Sequence, residues 1–381
     1  MRIHRALPLA SVAALLAACA TEEPILSPSA MSPAEARVLI VQALPPAVTD
    51  RNGWATDIYA ALSAMDLAAN APSICAVIAI TEQESSFRAN PSVPGMAAIA
   101  WREIDAKADS ANLPKLVVHA ALQLTSPTGK SYRDRIDAAT TERDLSDIFE
   151  DFIGMVPMGK TLFAGLNPVR TAGPMQVSVA FADQHAARRP YPYPIRTNIR
   201  AEVFTRRGGV YFGVAHLLDY PASYDKAIYR FADFNAGHYT SRNAAFQNAV
   251  SVASGVPLVL DGDLVDPAAG ARRAGSTELA TRVLGPRMRM DDDEIRSALE
   301  QEKSAQFERT RLYERVFQQA DLANRAPVPR ALLPKIQLKS PKITRNLTTG
   351  WFANRVDERY QRCVARAKSE TNGYTRIPSA M

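Results

Sequence analysis

Glu84 is the residue of this chain best suited by type and spacing to move a proton. Val77, Ile80, Thr81 and Glu84 fall at i, i+3, i+4 and i+7 of a helix expected from Ser73, as its N-cap, through Phe87. Glu84 therefore ends the same stripe as the core contacts, and Glu82 lies nearly opposite. A carboxyl group at the end of an apolar stripe beside a cleft loses water, which favours its neutral form and suits it to general-acid chemistry near neutral pH. A solvated or capping glutamate is the plainer reading of the same position.

Other segments accompany it in a definite order. Gln83-Glu84-Ser85-Ser86-Phe87 is followed by Gly173-Pro174-Met175-Gln176 and then by Phe234-Asn235-Ala236-Gly237. These resemble the signature motifs of the lysozyme-like (SLT-type) lytic transglycosylases, Glu-Ser, Gly-Leu-Met-Gln and Ala-Tyr-Asn-Ala-Gly. Glu308 to Val316, with Tyr313, is similar to the family's Glu-Thr-Arg-x-Tyr-Val element, and Arg207 to Phe212 with Leu217-Leu218 is similar to its Gly-containing helix. The chain departs from the pattern at Pro174, where the family has Leu, at Phe234, where it has Tyr, and at Asp233, where it has Ala. It also carries the stretch 89–170 where the family has a short loop. The whole chain further resembles an uncharacterised bacterial lipoprotein family, which supplies no activity.

The resemblance implies a mechanism that needs one carboxylate. Glu84 would protonate the oxygen between N-acetylmuramic acid (MurNAc) and N-acetylglucosamine (GlcNAc), and the sugar's own N-acetyl group would stabilise the oxocarbenium-like state. Glu84 would then act as base on the muramic acid 6-hydroxyl, which closes on C1 to leave a 1,6-anhydro end. By the same resemblance Ser85 and Tyr313 would hold Glu84 or the acetamido group, Met175 and Gln176 would line the floor, and Asn235 would face the carboxylate across the cleft. Tyr313 as a partly buried aromatic and Met175 as core packing remain open. A hydrolytic muramidase would need a second carboxylate for water, for which Asp183, Glu202 and Asp233 are candidates without a motif to choose among them. A non-catalytic peptidoglycan-binding or scaffold lipoprotein that keeps the cleft is the alternative outside the enzyme class.

Gly154 to Thr161 matches the P-loop pattern letter for letter, with Leu258-Val259-Leu260-Asp261 as an apolar-run partner. The pattern needs a strand before it and a helix after it. Leu145 to Ile153 instead reads as an acidic amphipathic helix, and Gly165, Asn167 and Pro168 cut short any helix that follows, so no nucleotide is expected. The five histidines, at 4, 119, 185, 216 and 238, lack zinc-helix spacing, and neither a metal nor another cofactor is expected. His238 is either a cleft residue or a loop histidine without a role.

The elements that must position these residues are mostly helices. The 381 residues are 47% hydrophobic and 22% charged, which excludes a disordered or fibrous chain. The formal charge of +6 is spread along the chain, so no nucleic-acid partner is indicated. Arg2 and Arg5 precede the short apolar run Leu7 to Ala18, the layout of an export signal over 1–18, and Leu16-Ala17-Ala18-Cys19 resembles a lipobox. Cys19 would carry lipid, and Ala20 after it points to the outer membrane, facing the periplasm. With Cys19 lipidated, Cys75 and Cys363 remain as an even pair in an oxidising space, and a disulfide between them is expected, two buried thiols being the alternative.

A tether is expected over 19–31 and a first helix from the capping box Ser32-Pro33-Ala34-Glu35. Further helices are expected over Trp54 to Ala68, Leu145 to Ile153, Val179 to Ala187, Arg200 to Leu218, Tyr224 to Phe231, Arg242 to Val252 and Asp292 to Leu322. The fold class is mainly α: a lysozyme-like domain over 32–325 with an insertion at 89–170, and a Pro-rich and helical C-terminal extension over 326–381 packed on the domain. The expected partners are peptidoglycan glycan strands, outer-membrane lipid through Cys19 and a protein at the insertion.

Overall fold

Ser32 closes the first helix as its sequence requires: its hydroxyl accepts from the Glu35 amide at 3.3 Å, the Glu35 carboxylate accepts from the Ser32 amide at 2.9 Å, and α1 runs Pro33–Ala43. The computed structural model describes residues 31–155, 157–266, 273–338 and 345–371. The expected export signal, Cys19 and nearly all of the tether lie outside the described residues, as does the end of the extension. The protein is mainly α. Among the described residues, one two-stranded antiparallel hairpin, β1 (Thr171–Ala172) and β2 (Val177–Ser178), is the only sheet, and no helix is long and apolar enough to cross a membrane.

Three apolar cores organise the described residues. The first joins α1, α2 (Arg51–Ala64) and α3 (Ala71–Ser85) to the hairpin, to α9 (Val179–Arg188), α10 (Ile199–Val203), α11 (Arg206–Leu218) and α12 (Ala227–Ala236), and to α18 (Thr349–Thr371). The second is built on α13 (Thr240–Ser254) by α14 (Ser276–Val283), α15 (Gly285–Met288), α16 (Asp292–Leu299) and α17 (Arg311–Asn324). The third lies inside the insertion, where α4 (Met96–Ser110), α5 (Lys115–Ala121), α6 (Tyr132–Asp137) and α7 (Glu142–Gly154) surround Tyr132, Ile136 and Ile148, and α8 (Gly159–Phe163) follows.

Several expected helices differ in their ends for local reasons. Asn70, not Ser73, caps α3, its Oδ1 accepting from the Ser73 amide at 2.9 Å. The helix expected from Arg200 to Leu218 is broken because the Thr205 hydroxyl accepts from the Gly208 amide at 3.0 Å and so starts α11 afresh. The long helix expected from Asp292 to Leu322 is divided in the same way by Ser304 and Thr310, each of which caps a new turn.

The domain division also differs from expectation. α18 is not an accessory on a finished domain: Phe352, Ala353, Val356, Cys363 and Ala367 sit in the first core, against α3 and α12. Cys363 Sγ is bonded to Cys75 Sγ across that contact, with Cα atoms 5.5 Å apart. Conversely, most of 240–324 leaves the first core and forms the second. Residues 326–338 strap the two together, with Val328 in the second core and Leu333 and Leu338 against the first.

Candidate functional site

Every residue of α3 from Ile74 to Thr81 is buried, so the helix runs through the first core and releases its polar residues only in its last turn. Glu84 stands half-buried in that turn. The chain then swings away, because Ser86 (φ 50°) and Phe87 (φ 62°) are both left-handed. The Phe87 ring meets Trp54 edge-on at 5.2 Å, and Trp54 carries the Arg206 guanidinium 5.5 Å above its ring. Arg206 pairs with Asp57 at 2.5 Å and with Asp50. The end of α3 is thereby anchored to α2 and to the first turn of α11. Glu82 faces away, toward Arg362 and Arg359 of α18 at 3.6 and 3.8 Å.

The Gly173–Gln176 segment is the turn of the hairpin. Thr171 pairs with Ser178 and Ala172 with Val177, and the Gln176 amide donates to the Gly173 carbonyl at 3.1 Å. Pro174 occupies the second position of this turn, where its fixed φ is favourable, which explains in shape the departure from Leu. The turn lies directly on the glycine face of α11. Gly173 has φ +75° and sits so close that an added Cβ would overlap the Val203 carbonyl and stand 3.2 Å from Gly209 Cα. A Cβ on Gly209 would lie 3.1 Å from Pro174 Cγ, and one on Gly213 would lie 2.7 Å from Met175 Cβ.

Three of the expected substrate contacts are corrected by this geometry. Met175 is fully buried against Gly213, so it supports the turn from beneath and offers no surface to a ligand. Ser85 is buried, and its hydroxyl donates at 3.1 Å to the Thr81 carbonyl within its own helix. Tyr313 is not in the core that holds α3: its ring packs in the second core, with centroids 4.6 Å from Phe317 and 5.5 Å from Phe307. Burial there pushes its phenol above the ordinary range. Gln176 is half-buried, its Nε2 donating to the Gly173 carbonyl at 3.3 Å and its Oε1 accepting from Thr171 at 3.1 Å. Asn235 is exposed at the end of α12, and its Oδ1 accepts from the Thr349 hydroxyl of α18 at 3.0 Å.

Two of the three candidate second carboxylates are consumed by the fold. Asp233 is fully buried and accepts from the Tyr224 hydroxyl at 2.6 Å, the Tyr220 hydroxyl at 3.2 Å, and the Ser241 and Tyr239 amides at 2.7 and 2.9 Å, bolting α12 to α13. Burial raises its carboxyl above the usual range. Glu202, 2% exposed, holds Arg207 at 3.0 Å and the Tyr191 hydroxyl at 2.9 Å. Asp183, on α9, is raised by the protein bulk around it, opposed by the charge of Arg200.

A cluster that spacing did not indicate lies beside these residues. His216 and His238 stack at 4.7 Å, Tyr220 stacks on His238 at 4.0 Å, and Phe181 lies 4.7 Å from His216. His216 is pushed down to about 4 and His238 also down, chiefly by burial, so both are neutral imidazoles at pH 7. They are scattered in the chain, and only the packing of α9 and α11 with the loop at 237–239 brings them together. Among the described residues no group of three or more His, Cys, Asp or Glu is arranged to hold a metal ion.

A family model described as "Protein of unknown function (DUF1615)" matches residues 47–366. The chain belongs to the DUF1615 family. The matched span of this DUF1615 protein begins before α2 and ends within α18, so it includes all three motif segments, the insertion and both bonded cysteines. The "Uncharacterized protein YaiW" of Escherichia coli (strain K12) is 51% identical over 366 residues, covering 95% of this chain and 100% of its own. No solved structure matches the chain.

Proposed function

We propose that this DUF1615 protein is a lysozyme-like lytic transglycosylase that cleaves the MurNAc–GlcNAc bond of peptidoglycan, with Glu84 as the single acid and base. It works as an outer-membrane lipoprotein facing the periplasm, anchored through Cys19. Glu84 gives its proton to the glycosidic oxygen, and the departing GlcNAc takes that proton with it. The carboxylate so formed then takes the proton of the muramic acid 6-hydroxyl as that oxygen closes on C1, so no water is consumed.

The observation that supports this reading is the convergence of the motif segments on one helix. The end of α3 reaches the first turn of α11 through Phe87, Trp54 and Arg206, and the Gly173–Gln176 turn is seated on Gly209 and Gly213 of the same helix. α12, whose last turn carries Asn235, also packs on α11. With Asp233 and Glu202 engaged elsewhere, Asp183 is the carboxylate that a hydrolytic reading would have to use. A non-catalytic peptidoglycan-binding scaffold is the second reading, favoured by the side chains of Ser85, Gln176 and Asn235 being tied by hydrogen bonds within the protein.

The test is mass spectrometry of muropeptides released from purified sacculi. The reading expects 1,6-anhydro ends, and Glu84→Gln should lower their release by roughly 10²–10⁴-fold while the helical circular dichroism is unchanged. Reducing-end products would point to hydrolysis. Sacculus binding without release, from folded protein, would favour the scaffold.

A further inference from the structure

The insertion forms an open apolar cavity of about 790 Å³ that the glycan-cleaving reading does not use. Its walls come from α4, α5, α6 and α7, and residues of 166–171 complete the lining. The lining is dominated by aliphatic side chains, among them Ile99, Ile104, Val118, Leu122, Leu145 and Ile148. Thr171 of the lining is the residue whose hydroxyl donates to Gln176.

Two features mark apolar surface that the described residues leave uncovered here. α5 has no buried residue, although its sequence is Lys-Leu-Val-Val-His-Ala-Ala. It is held to α4 by polar links, His119 to Asp105 at 2.8 Å and Lys115 to Asp109 at 3.0 Å. Three aliphatic residues that line the cavity are more than half exposed: Leu113 at 52%, Val117 at 59% and Leu166 at 55%. Aliphatic walls gain little from contact with water.

We propose that the cavity binds the acyl chain of a single-chain amphiphile whose head group carries both signs of charge, a lysophospholipid in chemical class. A methylene takes up about the room of a water molecule in the liquid, roughly 30 Å³, so the volume holds about 25 such groups, one long chain with part of its head. The lining is aliphatic on most sides, which fits a flexible chain better than a flat ring. The charged residues among the lining are two carboxylates, Glu103 and Glu142, and two cations, Lys107 and Arg170, a formally neutral set that complements a zwitterionic head. Glu84 is not among the lining residues.

The test is calorimetric titration of the purified protein with palmitoyl-lysophosphatidylethanolamine below its micellar concentration, with palmitate as comparison. Saturable binding with a negative heat-capacity change is expected, the lysolipid binding more tightly than palmitate. Ala111→Trp and Ala121→Trp project an indole into the cavity from exposed and half-exposed positions and should weaken binding roughly tenfold or more. Leu116→Asp alters an 82% exposed residue outside the lining and should leave binding unchanged. Each variant is compared with the parent by circular dichroism, and the two Trp variants serve as replicates should one fail to fold. Loss in Leu116→Asp, or wild-type binding in folded Trp variants, would mean adsorption to the surface and would overturn the site, as would no binding of either ligand. Palmitate binding more tightly than the lysolipid would overturn the head-group assignment.

Discussion

Met175 lies in van der Waals contact with Gly213, so closely that a Cβ at position 213 would stand 2.7 Å from Met175 Cβ. The hairpin turn is therefore held on α11 by the absence of a side chain. Gly213→Ala should destabilise the protein by about 1–3 kcal/mol through overpacking. Gly173→Ala should cost more, because the clash there is with the Val203 carbonyl and the backbone is left-handed. Urea midpoints of the two variants, at unchanged slope, check both the sign and the order.

The Cys75–Cys363 disulfide closes a loop of 288 residues and joins α3 to α18 inside the first core. Cross-linking so distant a pair restricts the unfolded chain strongly, and its removal should cost about 2–5 kcal/mol. The double variant Cys75→Ser/Cys363→Ser, and the parent under reductant, should both unfold at lower temperature. An unchanged midpoint in both would mean that α18 is held by packing alone.

Acid should destabilise the protein above the range where carboxylates titrate. His216 is pushed down to about 4 in the fold, against about 6.5 in the unfolded chain, so between these values the unfolded state binds more protons and stability falls as pH falls. His238 and His185 act in the same direction. Asp233, raised by burial, has the opposite sign, its contribution being present at low pH and lost as pH rises through its folded value. His216 alone should account for about 2 kcal/mol between pH 7 and 5. Thermal midpoints across that range should fall on acidification, and His216→Gln should flatten the slope.

The Thr349 hydroxyl is the donor that fixes Asn235. Thr349→Val keeps the shape of a fully buried residue and removes that donor, so it should cost about 1 kcal/mol. If Asn235 faces substrate, release of anhydro-muropeptides should fall with it. Denaturant melts and muropeptide release measured on the same preparation separate the two effects.

What could be read in the sequence was what depends on near neighbours. The Ser32–Glu35 box and the burial of Val77, Ile80 and Thr81 on one stripe each rest on residues within a few positions, whose backbone geometry carries the information. The pairing of Cys75 with Cys363 followed from setting Cys19 aside as the lipid site, since the two cysteines left allow one partner. Capping groups near the middle of an apolar pattern were the weak point: Thr205, Ser304 and Thr310 compete for the backbone and break helices that periodicity alone would continue.

Composition and periodicity by themselves determined a mainly helical protein with a carboxylate at the end of a buried helix. Tertiary packing decided which side chains are left to meet a ligand. Met175 is buried because Gly213, far along the chain, has no side chain; Asp233 is engaged because Tyr220, Tyr224 and the start of α13 fold back on it. Tyr313 belongs to a second core because Phe246, Phe307 and Phe317 surround it there. Burial and hydrogen-bond saturation are sums over groups distant in sequence, so no local pattern encodes them, and they become definite only when the helices pack.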